Sequence, residues 1–209
     1  MGRGWDIFGY WSVCCACTLF SILLTIVSLG FSFFICWLWV RTYRPSISIE
    51  MFQVPALNKT SNGAFNIIDP TITFDLRLKN ENLNEGVFYD AVSVTLYYYH
   101  ANISTFSPIG NISTPAFYQG FHKKAHRVES IKSYGVPWNI ARMEVLNGST
   151  TTFRVDVDTR IRFRYMLFFF WSIKGQKYTV QVRGNVTVND QGVKSVKKGL
   201  RLYLPTEKE

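Results

Sequence analysis

Cysteine is missing from everything after residue 36. The four that exist, Cys14, Cys15, Cys17 and Cys36, lie in or beside an apolar N-terminal stretch. Whatever folds downstream has no disulfide, even in an oxidising space, and must be held by packing. A domain of about 160 residues buries enough surface for that. Histidine is scarce too, at three residues. His122 and His126 are four apart, but their Lys/Arg-rich surroundings repel cations, so neither a metal site nor a cofactor is expected. There is no Gly-x-Ser-x-Gly elbow and no phosphate loop, and no pair of carboxylates stands out by its spacing. The chain is therefore not expected to be an enzyme.

Charge is absent from Ile7 to Val40, and Val13–Val40 is the most apolar part. At ~1.5 Å per residue, about 20 residues cross a ~30 Å hydrocarbon layer, so this run is long enough to span with tilt. Tyr10 and Trp11 flank one end, and Trp37, Trp39 and Tyr43 the other, as interfacial aromatics do. Arg41, Arg44 and Pro45 then stop the segment. It is about twice the length of a signal-peptide core, which favours an uncleaved anchor. The expected organisation is a short cytosolic tail over 1–11, a transmembrane helix over 12–41, and one folded domain over 46–205. The flanking charges weakly favour a cytosolic C-terminal side. Five glycosylation sequons, at Asn58, Asn102, Asn111, Asn147 and Asn185, all follow the anchor and favour the opposite, N-inside orientation, which is the one adopted. Cys14, Cys15 and Cys17 then lie near the cytosolic leaflet and are candidates for S-acylation.

Past Pro45 the hydrophobic period becomes two. Ile47, Ile49 and Met51 alternate with polar residues, as do Ile72 to Leu78, Val92 to Leu96, Phe153 to Val157, and Val180 to Val188. Such segments are half-buried strands. Turn residues stand between them at Asn62-Gly63, Asn84-Glu85-Gly86, Pro108 to Asn111, Asn147-Gly148, Gly175, and Asn189 to Gly192. The pattern predicts an all-β fold, an antiparallel β-sandwich, with one short helix over Trp138–Val145. The apolar run Met166–Trp171 is too short to span a membrane and is expected to be a strand buried on both faces.

Residues 1–120 hold six Lys/Arg against seven Asp/Glu, whereas residues 121–209 hold seventeen against seven. The basic character thus belongs to the second half of the domain, which attracts anions. Arg160, Arg162 and Arg164 alternate with apolar residues, so on a strand all three share one face, ~6.7 Å apart. Their forked guanidinium groups suit bidentate carboxylate recognition. The plainer alternative is a solvated face paired with Asp156 and Asp158 on a neighbouring strand. Lys197 and Lys198 lie in a second basic cluster and join the candidate anion-binding set.

Taken in order, several short motifs resemble a plant family, the non-race-specific disease resistance and harpin-induced-like proteins, whose members carry a type 2 late-embryogenesis-abundant (LEA-2) domain. The family's Asn-Pro-Asn and Tyr-Tyr-Asp stretch appears as Asn80-Glu81-Asn82 followed by Phe88-Tyr89-Asp90. Its Phe-Tyr-Gln-Gly-His-Lys stretch appears as Phe117-Tyr118-Gln119-Gly120 and then Phe121-His122-Lys123. Val54-Pro55-Ala56-Leu57 and Val196-Lys197-Lys198-Gly199 look like the founding member. The resemblance implies a LEA-2 β-sandwich in the apoplast, anchored at the plasma membrane by a single pass. It further implies a non-enzymatic role in defence against pathogens, in resistance signalling and in contact between plasma membrane and cell wall. The expected partners are the membrane, an anionic cell-wall polysaccharide and immune-signalling proteins, with no nucleic acid. The alternative is a lipid-contact or membrane-tethering module that uses the same basic surface. Glu81 replaces the family's Pro, and the chain ends in Leu204 to Glu209 without a hydrophobic tail, so no GPI anchor is expected.

Overall fold

A computed structural model describes residues 4–39, 42–59, 69–101, 104–167 and 171–205; side chains are described outside 4–16, 36–39 and 166–172. The chain forms two compact units, Met1–Thr42 and Tyr43–Glu209.

The first unit is helix α1, Gly4–Trp39. Within it Cys17–Ile35 is long and apolar enough to cross a membrane. Such a helix solves the bilayer's central problem by satisfying its own backbone hydrogen bonds. Three hydroxyls in it also bond back to the helix: Thr25 donates to the Ile22 carbonyl at 2.7 Å, Ser28 to Thr25 at 2.9 Å and Ser32 to Ser28 at 2.8 Å.

The second unit is a sandwich of two antiparallel sheets. Its strands are β1 (Ser46–Asn58), β2 (Thr71–Lys79), β3 (Glu85–Tyr89), β4 (Val92–His100), β5 (Thr105–Thr114), β6 (Phe117–Gln119), β7 (Lys124–Lys132), β8 (Thr151–Leu167), β9 (Trp171–Val188), β10 (Gln191–Val193) and β11 (Leu200–Arg201), and a short helix α2 (Trp138–Leu146) precedes β8. One sheet runs β10-β1-β2-β7, with β11 also on β1. The other is organised by β8, which pairs with β9 along nearly its whole length. On its opposite edge β8 pairs with β4 over Phe153–Asp158 and then with β3 over Ile161–Tyr165. β5 and β6 extend those two ladders outward.

The inward rows pack one core. Phe153, Val155, Val157, Ile161 and Phe163 from β8 lie buried with Phe52, Phe74, Leu76, Leu96 and Tyr98. Strict alternation along β8 leaves Arg154, Asp156, Asp158, Arg160, Arg162 and Arg164 on the outer face.

Most alternating segments are strands where the pattern placed them, and α2 matches the expected short helix. Three expected turns are instead inside strands. Glu85 and Gly86 open β3, where an added Cβ on Gly86 would collide with the Tyr118 side chain. Pro108 to Asn111 lie in β5, an edge strand with a register shift opposite Leu96 and Tyr97, where the missing Pro N–H costs no central ladder bond. Gly175 sits within β9 beside the register shift opposite Arg162 and Arg164. By contrast Asn189 to Gly192 does reverse the chain, the Gly192 N–H donating to the Asn189 carbonyl at 3.0 Å as the turn runs into β10, with Gly192 at φ +68° against the Val54 carbonyl. The expected turn at Asn62-Gly63 lies outside the described residues, as do residues 168–170 and the side chains of the Met166–Trp171 run.

Candidate functional site

The motif residues separate into two groups. Asn80, Asn82, Gln119 and Gly120 build a hydrogen-bonded clamp. The Asn80 side-chain nitrogen donates to the carbonyls of Glu85 at 2.6 Å and Gly120 at 3.1 Å. Its oxygen accepts from the Asn82 backbone at 3.1 Å and side chain at 3.0 Å. Asn82 then grips both polar groups of Tyr43, accepting from its N–H at 2.7 Å and donating to its carbonyl at 2.8 Å. Gln119 donates to the Leu78 carbonyl at 2.9 Å and the Lys123 carbonyl at 2.7 Å, and accepts from the Tyr89 hydroxyl at 2.9 Å. Burial pushes the Tyr89 phenol far above its ordinary range, so it remains a donor. Glu81, where the family has Pro, points outward and pairs with Lys79 at 2.8 Å, leaving the asparagines in place.

The second group opens on the outer face of the β8 sheet. Phe88, Asp90, Ala116, Phe117, Tyr118, Arg162, Lys174 and Lys177, with Tyr89 at its base, line a groove of about 370 Å³. The strand ladder places these side chains. Tyr118 on β6 opposes Phe88 on β3, which opposes Arg162 on β8, which opposes Lys177 on β9. Tyr118 and Phe88 pack with ring centroids 4.5 Å apart. Tyr118 lies across Gly86, whose missing Cβ leaves room for it, and the Arg164 guanidinium sits 5.9 Å from its ring centroid. Lys174 opposes Arg164.

Five cations, Arg160, Arg162, Arg164, Lys174 and Lys177, therefore gather at this end of the face, where Asp90 is the one carboxylate lining the groove among the described residues. Lys177 bonds Asp90 at 2.9 Å. That bond, and the charges of Lys177, Arg162 and Arg160, hold the Asp90 carboxyl below its usual range against some desolvation. The sign is that of a depressed acid: the contact is complete above the usual carboxylate range and is lost as pH falls through the lowered value. Among the described residues no carboxylate lies in ion-pair contact with Arg160 or Arg162.

Two sequence expectations change. Asp156 and Asp158 are not on a neighbouring strand but on β8 itself, in its first half, where Arg154 at 3.3 Å and Arg183 at 3.7 Å compensate Asp156. Desolvation raises the Asp156 carboxyl even so. Lys197 and Lys198 do not join the arginine stripe. They follow Ser195, whose amide bonds the Thr187 carbonyl at 2.8 Å. Thr187 is ten residues along β9 from Lys177, about 33 Å at ~3.3 Å per residue.

Sequence reasoning missed Lys174 and Lys177. Counting back from the Leu167 and Trp171 pair sets Lys174 opposite Arg164, but it sets Gln176 opposite Arg162; only the register shift in β9 brings Lys177 there, and no local signal announces it. His122 sits in a turn at φ +46° and His126 is on β7, bonded to Asp75 at 2.8 Å, so the pair is not on one helix face. No group of three potential metal ligands occurs among the described residues. The sequon asparagines Asn58, Asn111, Asn147 and Asn185 are exposed, and Asn102 lies outside the described residues. Cys17 is an exposed free thiol; the side chains of Cys14 and Cys15 are not described.

An antiparallel sandwich carrying a basic, aromatic-lined groove, in a chain that opens with one helix of membrane-spanning length, defines the class of protein. No family model matches the chain. Over 195 residues, 90% of this chain and 81% of the relative, it is 36% identical to Protein NDR1 of Arabidopsis thaliana. Over 159 residues, 74% of this chain and 66% of the relative, it is 25% identical to NDR1/HIN1-like protein 10 of the same plant. The chain belongs to the NDR1/HIN1-like family.

Proposed function

We propose that this protein is a non-enzymatic plasma-membrane component of plant defence against pathogens, contributing to resistance signalling and to contact between the plasma membrane and the cell wall. In this reading α1 is the anchor, the N-terminal tail is cytosolic, and the sandwich lies outside, where its exposed sequon asparagines are glycosylated. The kinship with Protein NDR1 supports the defence role. One geometric observation carries the wall contact: along the second half of β8 and its neighbours β3 and β9, five cations stand with one carboxylate, Asp90, among the described residues, while Asp156 and Asp158 lie in the first half of the same face beside Arg154 and Arg183. Such a face attracts a polyanion, and de-esterified pectin is the abundant one at a plant cell surface.

The test is retention of the full chain, held in lipid nanodiscs, on immobilised polygalacturonate. Retention should fall steeply as salt rises, because screening shortens the reach of exposed charge to ~10 Å at 0.1 M and ~3 Å at 1 M. The triple variant Arg160→Glu, Arg162→Glu and Arg164→Glu should lose it. Retention that ignores both salt and charge reversal contradicts the reading.

A further inference from the structure

Charge alone would make the basic face a diffuse collector of polyanions, but three features of the groove are more particular. One side of it is aromatic: Phe88 is half-buried, Tyr118 is 42% exposed, and the two rings pack with centroids 4.5 Å apart beside Arg162. Ring faces carry negative quadrupolar charge and suit an apolar, C–H-bearing surface. The groove is also concave, at about 370 Å³. That volume is at the small end of ligand sites and holds a ring or two, whereas a flat bilayer surface does not enter it. Finally, a carboxylate, Asp90, stands among the cations. It accepts hydrogen bonds and repels other anions, so it favours a ligand that brings hydroxyl donors to it while presenting its own negative group elsewhere. A phosphate or sulfate with acceptors on every side fits this arrangement poorly.

Building on the reading of the basic face as a polyanion surface, we propose that the groove between Phe88–Tyr118 and Arg162–Lys177 is a subsite for a single hexuronate unit of an acidic polysaccharide. The pyranose C–H face lies on Tyr118 and Phe88. The uronate carboxylate meets Arg162 and Lys174, a guanidinium fork and an ammonium that both line the groove. Ring hydroxyls donate to Asp90, which Lys177 holds in place. Gly86 belongs to the subsite as well, because any side chain there pushes the Tyr118 ring off β3.

A short oligomer separates this subsite from general polyanion attraction. Trigalacturonate, its methyl ester and inorganic sulfate are titrated calorimetrically against the full chain in nanodiscs. Wild type should bind trigalacturonate saturably and lose about tenfold in affinity for the ester, one charge-assisted contact being worth roughly that factor. Tyr118→Ala and Gly86→Ala remove no charge yet should each weaken trigalacturonate binding by about tenfold. Arg162→Gln should do at least as much, while Lys197→Gln with Lys198→Gln changes nothing. Asp90→Asn should weaken trigalacturonate and strengthen sulfate. Unfolded variants are recognised by their melting curves, and the Asp90→Asn preference shift stands without them. Trigalacturonate affinity that is indifferent to Tyr118→Ala and Gly86→Ala, or equally reduced by the Lys197 and Lys198 substitutions, overturns the subsite while leaving salt-sensitive polymer retention intact. A wild-type chain that shows no salt-sensitive retention on polygalacturonate overturns the broader reading itself.

Discussion

Asn82 shows how a single side chain can tie a chain entry point to a sheet system. Its carboxamide satisfies both backbone polar groups of Tyr43, the first residue of the folded unit, and is itself oriented by Asn80. Leaving such groups unsatisfied costs about 1–3 kcal/mol each. Asn82→Ala should therefore destabilise the sandwich by about 2–3 kcal/mol, lowering the melting temperature in near-UV circular dichroism by roughly 4–12 °C. Glu81→Ala, between the two asparagines, removes only an exposed pair with Lys79 and should shift it by no more than about 2–4 °C. At this scale the sequence was informative about type but not about grouping. Period two alone put Arg160, Arg162 and Arg164 on one face, because strand geometry is local. Nothing local put Phe88 and Tyr118 beside Arg162, since Phe88 meets Arg162 across 74 positions and Tyr118 meets Phe88 across 30. Lys198 shares its charge with the stripe and still lies far from it, for the same reason.

Strand β8 is the element on which the sandwich depends. It alone joins the β4–β5 ladder, the β3–β6 ladder and β9. Its inner row is core and its outer row is the charged face, so the two faces should respond differently to truncation. Phe153 is fully buried, 5.7 Å from the Phe52 ring and 5.7 Å from the Tyr98 ring. Phe153→Ala should cost about 3–5 kcal/mol through lost transfer energy and a residual cavity. Val128→Ala, on edge strand β7 with 61% exposure, should stay within about 0.5 kcal/mol. Chemical denaturation of the full chain, followed by tryptophan fluorescence, measures both. Alternation made β2, β4 and the β8 core legible in advance. Glycine and proline misled at Gly86, Pro108 and Gly175, because there each serves a close approach, an edge or a register shift inside a strand rather than a reversal between strands.

At the scale of the molecule, the chain divides its chemistry between an apolar helix and a sandwich on which five cations gather along part of one sheet. The chain belongs to the NDR1/HIN1-like family, and its Cys17–Ile35 segment is long and apolar enough to cross a membrane. The basic groove acquires a partner only if the sandwich faces away from the cytosol, so the account stands or falls on sidedness. The direct measurement is protease digestion of intact protoplasts that express the full chain with a different epitope at each terminus. The account predicts that protease added outside removes the C-terminal epitope while the N-terminal epitope survives on a short fragment. Full-length protein that keeps both epitopes until the cells are opened, and only then is cut, would contradict it.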